Sequence, residues 1–112
     1  MSKESILLDF ESDLEDPGSL KSGEYLEAHV LAHARSAAAK EKDSLVEVLQ
    51  YWLLITNEPR TMLAVKIAKE LCLKELIPYL ENLRNRIETG KAFFPFYLQW
   101  VDEALTSLRG SG

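Results

Sequence analysis

The stretch SLVEVLQYWLLI, residues 44–55, decides the fold class of this 112-residue chain. Ser44 and Glu47 have the spacing of a capping box, in which each side chain bonds a free backbone N–H at the start of a helix. After Leu45, only Glu47 and Gln50 in this stretch are strongly polar. A helix that is apolar on most sides must be covered by neighbours, so we predict a central helix here.

On both sides of this stretch, apolar residues recur at intervals of three and four, and no segment convincingly shows the period of two expected of a strand. We therefore predict an all-α fold of five or six antiparallel helices. Asn57 or Glu58 caps the helix with Pro59 in its first turn, and Gly90 follows the end of the next helix in a left-handed conformation. The predicted core consists of Leu45, Leu49, Trp52, Ile67, Leu71, Leu76, Leu80, Leu83, Val101 and Leu105.

The charge is unevenly distributed along the chain. Residues 1–16 carry one lysine and six acidic residues, which accounts for the entire net charge of −5, because the other 96 residues carry 12 basic and 12 acidic side chains. Pro17-Gly18 marks a break after this arm. We predict three parts: an acidic amphipathic arm (1–16), a single helical domain (24–109) and a flexible tail (110–112).

Composition excludes several classes of protein. The single Cys72 forbids an intramolecular disulfide and every multi-cysteine metal site, and its leucine neighbours indicate a small core residue. Asp9 interrupts the apolar run that a secretion signal would need. The apolar run at residues 51–55 has five residues, against the roughly 20 that span a bilayer. We expect a cytoplasmic protein that does not enter a membrane.

Two segments are candidate partner-binding sites. In the arm, Ile6, Leu7, Phe10 and Leu14 have helical spacing, and they either cap the helices of their own chain or dock in the groove of a partner.

Near the C-terminus, the helical wheel of residues 93–108 has two adjacent apolar stripes. One contains Phe94, and the other contains Phe93, Phe96 and Trp100. The combined arc is wider than one core contact needs. We therefore expect a partner to cover Phe93, Phe96 and Trp100.

Residues 60–108 resemble helical-hairpin repeats of the HEAT type. The resemblance is carried by AVKIAKEL (64–71), ELIPYLENL (75–83) and YLQWVDEAL (97–105). It implies a right-handed stack of helical hairpins and a protein-binding surface, with an irregular bundle as the alternative architecture. The turns lack a recurring Asp, the spacing is irregular, and the first 57 residues do not repeat the pattern.

Catalytic and metal-binding chemistry is poorly supported. His29 and His33 lie one helical turn apart and would need a third ligand to hold a metal. Cys72 is about 40 residues from either histidine, no glycine-rich phosphate loop is present, and acidic residues are interleaved with the basic group around Arg84 and Lys91. We predict no enzyme activity, no cofactor and no nucleic-acid binding.

The resulting expectation is a non-enzymatic protein–protein interaction module, an adaptor or regulator, whose partner is another protein or a second copy. One alternative is an immunity protein that neutralises a toxin through its acidic surface. A further alternative is a metal-binding helical protein that uses His29 and His33.

Overall fold

The computed structural model describes the backbone of residues 3–15, 23–55 and 57–110, and the side chains of these residues except 23–26. The predicted break at Pro17-Gly18 and residues 111 and 112 of the predicted tail lie outside the described residues. Within the described ranges the fold is all-α, which confirms the predicted fold class.

Five α-helices follow one another along these residues. They are α1 (Lys3–Glu15), α2 (Gly23–Leu54), α3 (Glu58–Glu70), α4 (Ile77–Glu88) and α5 (Leu98–Gly110). Short 3₁₀ turns, Lys74–Leu76 and Pro95–Tyr97, precede α4 and α5. The chain divides into two compact units, a first unit of Met1–Val48 and a second unit of Leu49–Gly112.

Helix α2 is kinked at a single residue. Glu41 has φ −149° and ψ 70° within α2, while helical hydrogen bonding continues on both sides. Helix α2 therefore consists of two helical segments that meet at Glu41.

The helix starts in the second unit follow the predicted local signals. The side chain of Asn57 caps α3 by accepting a hydrogen bond from the backbone N–H of Arg60 at 3.2 Å. Pro59 and Pro78 lie in the first turns of α3 and α4, where a missing N–H removes no helical hydrogen bond.

The ends of α3 and α4 share one backbone motif built on different residues. At the end of α4, Gly90 has φ 74°, and the N–H groups of Gly90 and Lys91 donate to the carbonyls of Ile87 and Arg86. At the end of α3, Cys72 has φ 54° and occupies the equivalent position. Both are Schellman motifs. The prediction that Cys72 is a core residue is wrong, because this turn leaves its side chain exposed.

The carbonyls at the end of α2 are bonded by side chains from the next two helices. The Thr61 hydroxyl lies 2.8 Å from the carbonyl oxygen of Trp52 and 2.9 Å from that of Ile55. The Arg86 guanidinium donates to the carbonyls of Leu53 and Leu54. Because a helix C-terminus leaves its last carbonyls unsatisfied, Thr61 and Arg86 join the end of α2 to α3 and α4.

Helix α5 packs against both α3 and α4. Its buried face consists of Val101, Ala104, Leu105 and Leu108. Charged pairs flank this face: Lys69 of α3 bonds Glu103, and Arg84 of α4 bonds Asp102. Of the ten predicted core residues, all are buried except Leu71, which is half-buried because it caps the end of α3.

Candidate functional site

The segment between α4 and α5 turns the chain back and presents a group of aromatic rings. After Gly90, the N–H groups of Lys91 and Ala92 both donate to the carbonyl of Arg86, and the Ala92 side chain is buried. Phe93 then takes φ 50°, and Phe94 is extended with φ −94° and ψ 151°. This anchored reversal fixes where the following aromatic residues lie.

Four aromatic residues form a contiguous group, which we call the aromatic surface: Phe94, Phe96, Tyr97 and Trp100. The ring of Phe96 is central, with its centroid 4.2 Å from that of Tyr97, 5.5 Å from that of Trp100 and 6.4 Å from that of Phe94. Tyr97 and Trp100 are also 5.5 Å apart. The three separations that involve Trp100 or Phe94 are typical of attractive ring pairs, and the rings contact one another.

Three of the four residues are strongly exposed to solvent. Phe94 is 70% exposed, Phe96 52% and Trp100 41%. The buried face of α5 does not include them, so the core of the second unit is complete without their exposed rings. Large exposed apolar patches on soluble proteins often mark interaction sites.

Tyr97 connects the aromatic surface to the start of α3. Its hydroxyl shares a hydrogen bond with the Glu58 carboxylate, and its ring makes an edge contact with Phe93 at 5.8 Å. Partial removal from water, followed by the nearby Glu58 charge, raises the pKa of Tyr97. The hydroxyl therefore stays protonated as a donor to Glu58 at neutral pH.

Two of the three aromatic residues predicted as a docking site are exposed. Phe96 and Trp100 are both exposed in the aromatic surface, whereas Phe93 is half-buried. The helical wheel places Phe94 on a different stripe from Phe96 and Trp100, but Phe94 is exposed beside them. The helix begins only at Leu98, so helical periodicity does not apply to the extended Phe94.

The predicted binding face of the N-terminal arm, unlike the aromatic surface, is largely removed from solvent. Ile6 and Phe10 are buried, and Leu7 and Leu14 are half-buried. The exposed apolar residue of α1 is Leu8, which is 69% exposed and was not among the predicted site residues. In this conformation, a partner has no access to Ile6 or Phe10.

An acidic residue of the arm is buried between the arm and the helix that follows it in the sequence. Asp13 is buried, and its Oδ2 lies 2.7 Å from Nδ1 of His33 in α2. A second ion pair joins Lys3 to Glu47 at 3.6 Å. The sequence offered one signal for the Asp13–His33 pair: Asp13 follows Ile6 and Phe10 at helical spacing, on the same face.

The metal-binding alternative needs a cluster of ligands. In the described ranges, no group of three or more His, Cys, Asp or Glu side chains is placed to hold a metal ion. His33 instead contacts Asp13.

Two arginines of the basic group considered for nucleic-acid binding, Arg84 and Arg86, are engaged within the second unit. Arg84 bonds Asp102 and Glu88, and the hydrogen bond that Arg84 donates to Asp102 is the main cause of the raised pKa of Arg84. Arg86 bonds the end of α2. These guanidinium groups stabilise helix packing in this conformation.

Among the described residues, no helix combines the length and apolar character needed to cross a membrane. Comparison of the chain with family models, curated proteins and solved structures found no match. The resemblance of residues 60–108 to HEAT repeats stays a prediction.

Proposed function

We propose that this protein is a non-enzymatic protein–protein interaction module that binds its partner through the aromatic surface. The observation that carries the proposal is the contiguous exposure of Phe94, Phe96 and Trp100 beside a core that is complete without them. Aromatic side chains are favoured anchors of protein interfaces because one ring removes a large apolar area from water on binding.

The order within the aromatic surface also supports binding. The rings of Phe96, Tyr97 and Trp100 contact one another, and Tyr97 is tied to Glu58. Side chains that are already ordered lose less conformational entropy when a partner covers them. The surface is therefore preorganised for docking.

Affinity capture from cells that naturally express the protein tests this proposal. The bait proteins are the wild type, the double variant Phe96→Ala/Trp100→Ala, and Leu8→Ala, which removes a similarly exposed apolar side chain from α1. We expect a partner that the wild type and Leu8→Ala retain equally, and that the double variant retains at least about 10-fold less, as for interface anchors.

Circular dichroism of the double variant serves as the control that it remains folded. The proposal is wrong if all three folded baits retain the same proteins in the same amounts. Sedimentation velocity of the purified protein at two concentrations distinguishes a second copy from a different protein as the partner. Self-association raises the sedimentation coefficient at the higher concentration.

A further inference from the structure

We propose that α1 is a brace that holds α2 bent at Glu41, and that α2 becomes an uninterrupted helix at this residue when α1 detaches. The inference does not rest on the proposed function, because α1 and Glu41 both belong to the first unit and the aromatic surface belongs to the second.

The sequence around Glu41 does not account for the break in α2. Sharp kinks in helices are usually caused by proline, by Gly/Ser pairs or by a group inserted into the backbone hydrogen bonds. Residues 37–43, AAAKEKD, contain no Pro, Gly or Ser, and six of the seven are Ala, Lys or Glu, which favour a continuous helix. The cause of the break therefore lies outside this segment.

The capping box predicted at Ser44 and Glu47 does not explain the break either. An N-cap residue has non-helical backbone angles, whereas Ser44 lies within the helix and the non-helical residue is Glu41. The Glu47 carboxylate instead contacts Lys3 of α1 at 3.6 Å. Ser44 is thus not the N-cap that the sequence predicts, and the contact of Glu47 points to α1.

Helix α1 is attached to α2 on both sides of the break. Near the C-terminal end of α1, Asp13 Oδ2 lies 2.7 Å from Nδ1 of His33, which precedes Glu41. Near the N-terminal end of α1, Lys3 contacts Glu47, which follows Glu41. Helix α1 therefore runs antiparallel to α2 across the break.

The lengths of the bridged segments favour a bend. At a rise of 1.5 Å per residue, Lys3 and Asp13 are about 15 Å apart along α1, whereas His33 and Glu47 would be about 21 Å apart along a straight α2. A bend at Glu41 shortens the second separation, and so it brings both attachment points of α2 within reach of α1.

The buried face of α1 keeps the brace in place. Ile6 and Phe10 are fully buried, and Asp13 follows them at helical spacing. The Lys3–Glu47 pair is exposed and contributes little by itself. A charge placed in the buried face should therefore release α1.

NMR spectroscopy of the isotope-labelled full chain tests the inference. Phe10→Asp places a charge in the buried face of α1, and Leu8→Asp places the same charge on its exposed side as the matched control. The heteronuclear NOE of Lys3–Glu15 measures the mobility of α1, and the Cα chemical shift of Glu41 reports its backbone angles.

We expect α1 to become mobile in Phe10→Asp and the Cα shift of Glu41 to move from its non-helical value into the helical range. New NOE contacts between Lys40 and Asp43, three residues apart, should show that the helix is continuous there. Leu8→Asp should keep the wild-type values.

Asp13→Ala provides a milder variant in case Phe10→Asp fails to fold, as judged by circular dichroism. It removes the attachment to His33 and leaves the apolar side chains of α1 unchanged. We expect the Cα shift of Glu41 to move part of the way towards the helical range, because attached and detached forms of α1 exchange.

A mobile α1 with an unchanged Cα shift of Glu41 would overturn the inference, because the sequence around the break would then set it. A helical Cα shift of Glu41 in the wild type would overturn it as well. Either result would leave the proposed function intact.

Discussion

Helix α1 and the aromatic surface have similar apolar patterns in sequence, but their side chains lie in opposite environments. In α1, Ile6 and Phe10 are buried, and even the acidic Asp13 is removed from water. In the aromatic surface, Phe94, Phe96 and Trp100 remain exposed. This difference shows that helical spacing in the sequence identifies an apolar face. Whether that face is buried within its own chain depends on tertiary contacts, which the spacing does not reveal.

The stability of the protein should depend far more on the buried face of α1 than on its exposed side. We expect Phe10→Ala to lower the free energy of unfolding by about 3–5 kcal/mol, because it removes a fully buried ring and leaves a cavity. Leu8→Ala on the same helix should change it by less than about 0.5 kcal/mol. Urea denaturation followed by circular dichroism measures both, and equal effects would contradict the burial of Phe10.

The Asp13–His33 pair should contribute less to the free energy of unfolding than the buried ring of Phe10. Removing His33 leaves the buried Asp13 carboxyl group without this partner, which should cost about 1–2 kcal/mol. A double-mutant cycle of Asp13→Ala and His33→Ala should give a coupling energy of about 1 kcal/mol. Additive effects of the two substitutions would show that the pair makes no net contribution.

A single methyl group added at Gly90, in the turn that leads to the aromatic surface, should lower the stability of the protein. Gly90→Ala should destabilise the protein by about 1 kcal/mol, because alanine is strained at φ 74° although nothing lies within 4 Å of the added carbon. Gly110→Ala, where the added carbon also has free space, should change the stability by less than about 0.5 kcal/mol. Thermal denaturation of both variants distinguishes backbone strain from a general effect of the methyl group.

The corresponding turn after α3 allows the reverse experiment. Cys72→Gly should stabilise the protein by about 0.5–1 kcal/mol, because glycine relieves the cost of φ 54°. A loss of stability in this variant would contradict the equivalence of the two Schellman motifs.

The smallest effect should come from the exposed pair that flanks α5. The hydrogen bond from Lys69 holds the pKa of Glu103 below its usual range. Its stabilising contribution is therefore present above the unfolded-state pKa and disappears as the pH falls through the lower folded-state pKa. Glu103→Gln should be slightly less stable than the wild type at pH 7, and this difference should vanish in acid. Urea denaturation at several pH values measures the difference in stability between the two proteins. A difference that persists below the folded-state pKa of Glu103 would show that it does not come from the charge of Glu103.

Local sequence signals predicted much of the helical framework. Asn57, Pro59 and Gly90 all take their predicted roles, because capping and left-handed turns depend on the residue and its immediate neighbours. The core of α5 was predicted for the same reason, since Val101 and Leu105 lie within regular helix.

The remaining features depend on residues distant in sequence or on a helix boundary. Arg86 bonds carbonyls 32 and 33 residues away, and Asp13 contacts a histidine 20 residues away. Phe94 was misplaced because the start of α5 four residues later decides whether the helical wheel applies.

Hydrogen exchange of the protein alone and in complex with its captured partner tests most directly whether the aromatic surface, and not α1, binds. We predict slower backbone exchange on binding in residues 92–101, with unchanged exchange in Lys3–Glu15. Protection confined to Lys3–Glu15, with residues 92–101 unaffected, would contradict the account.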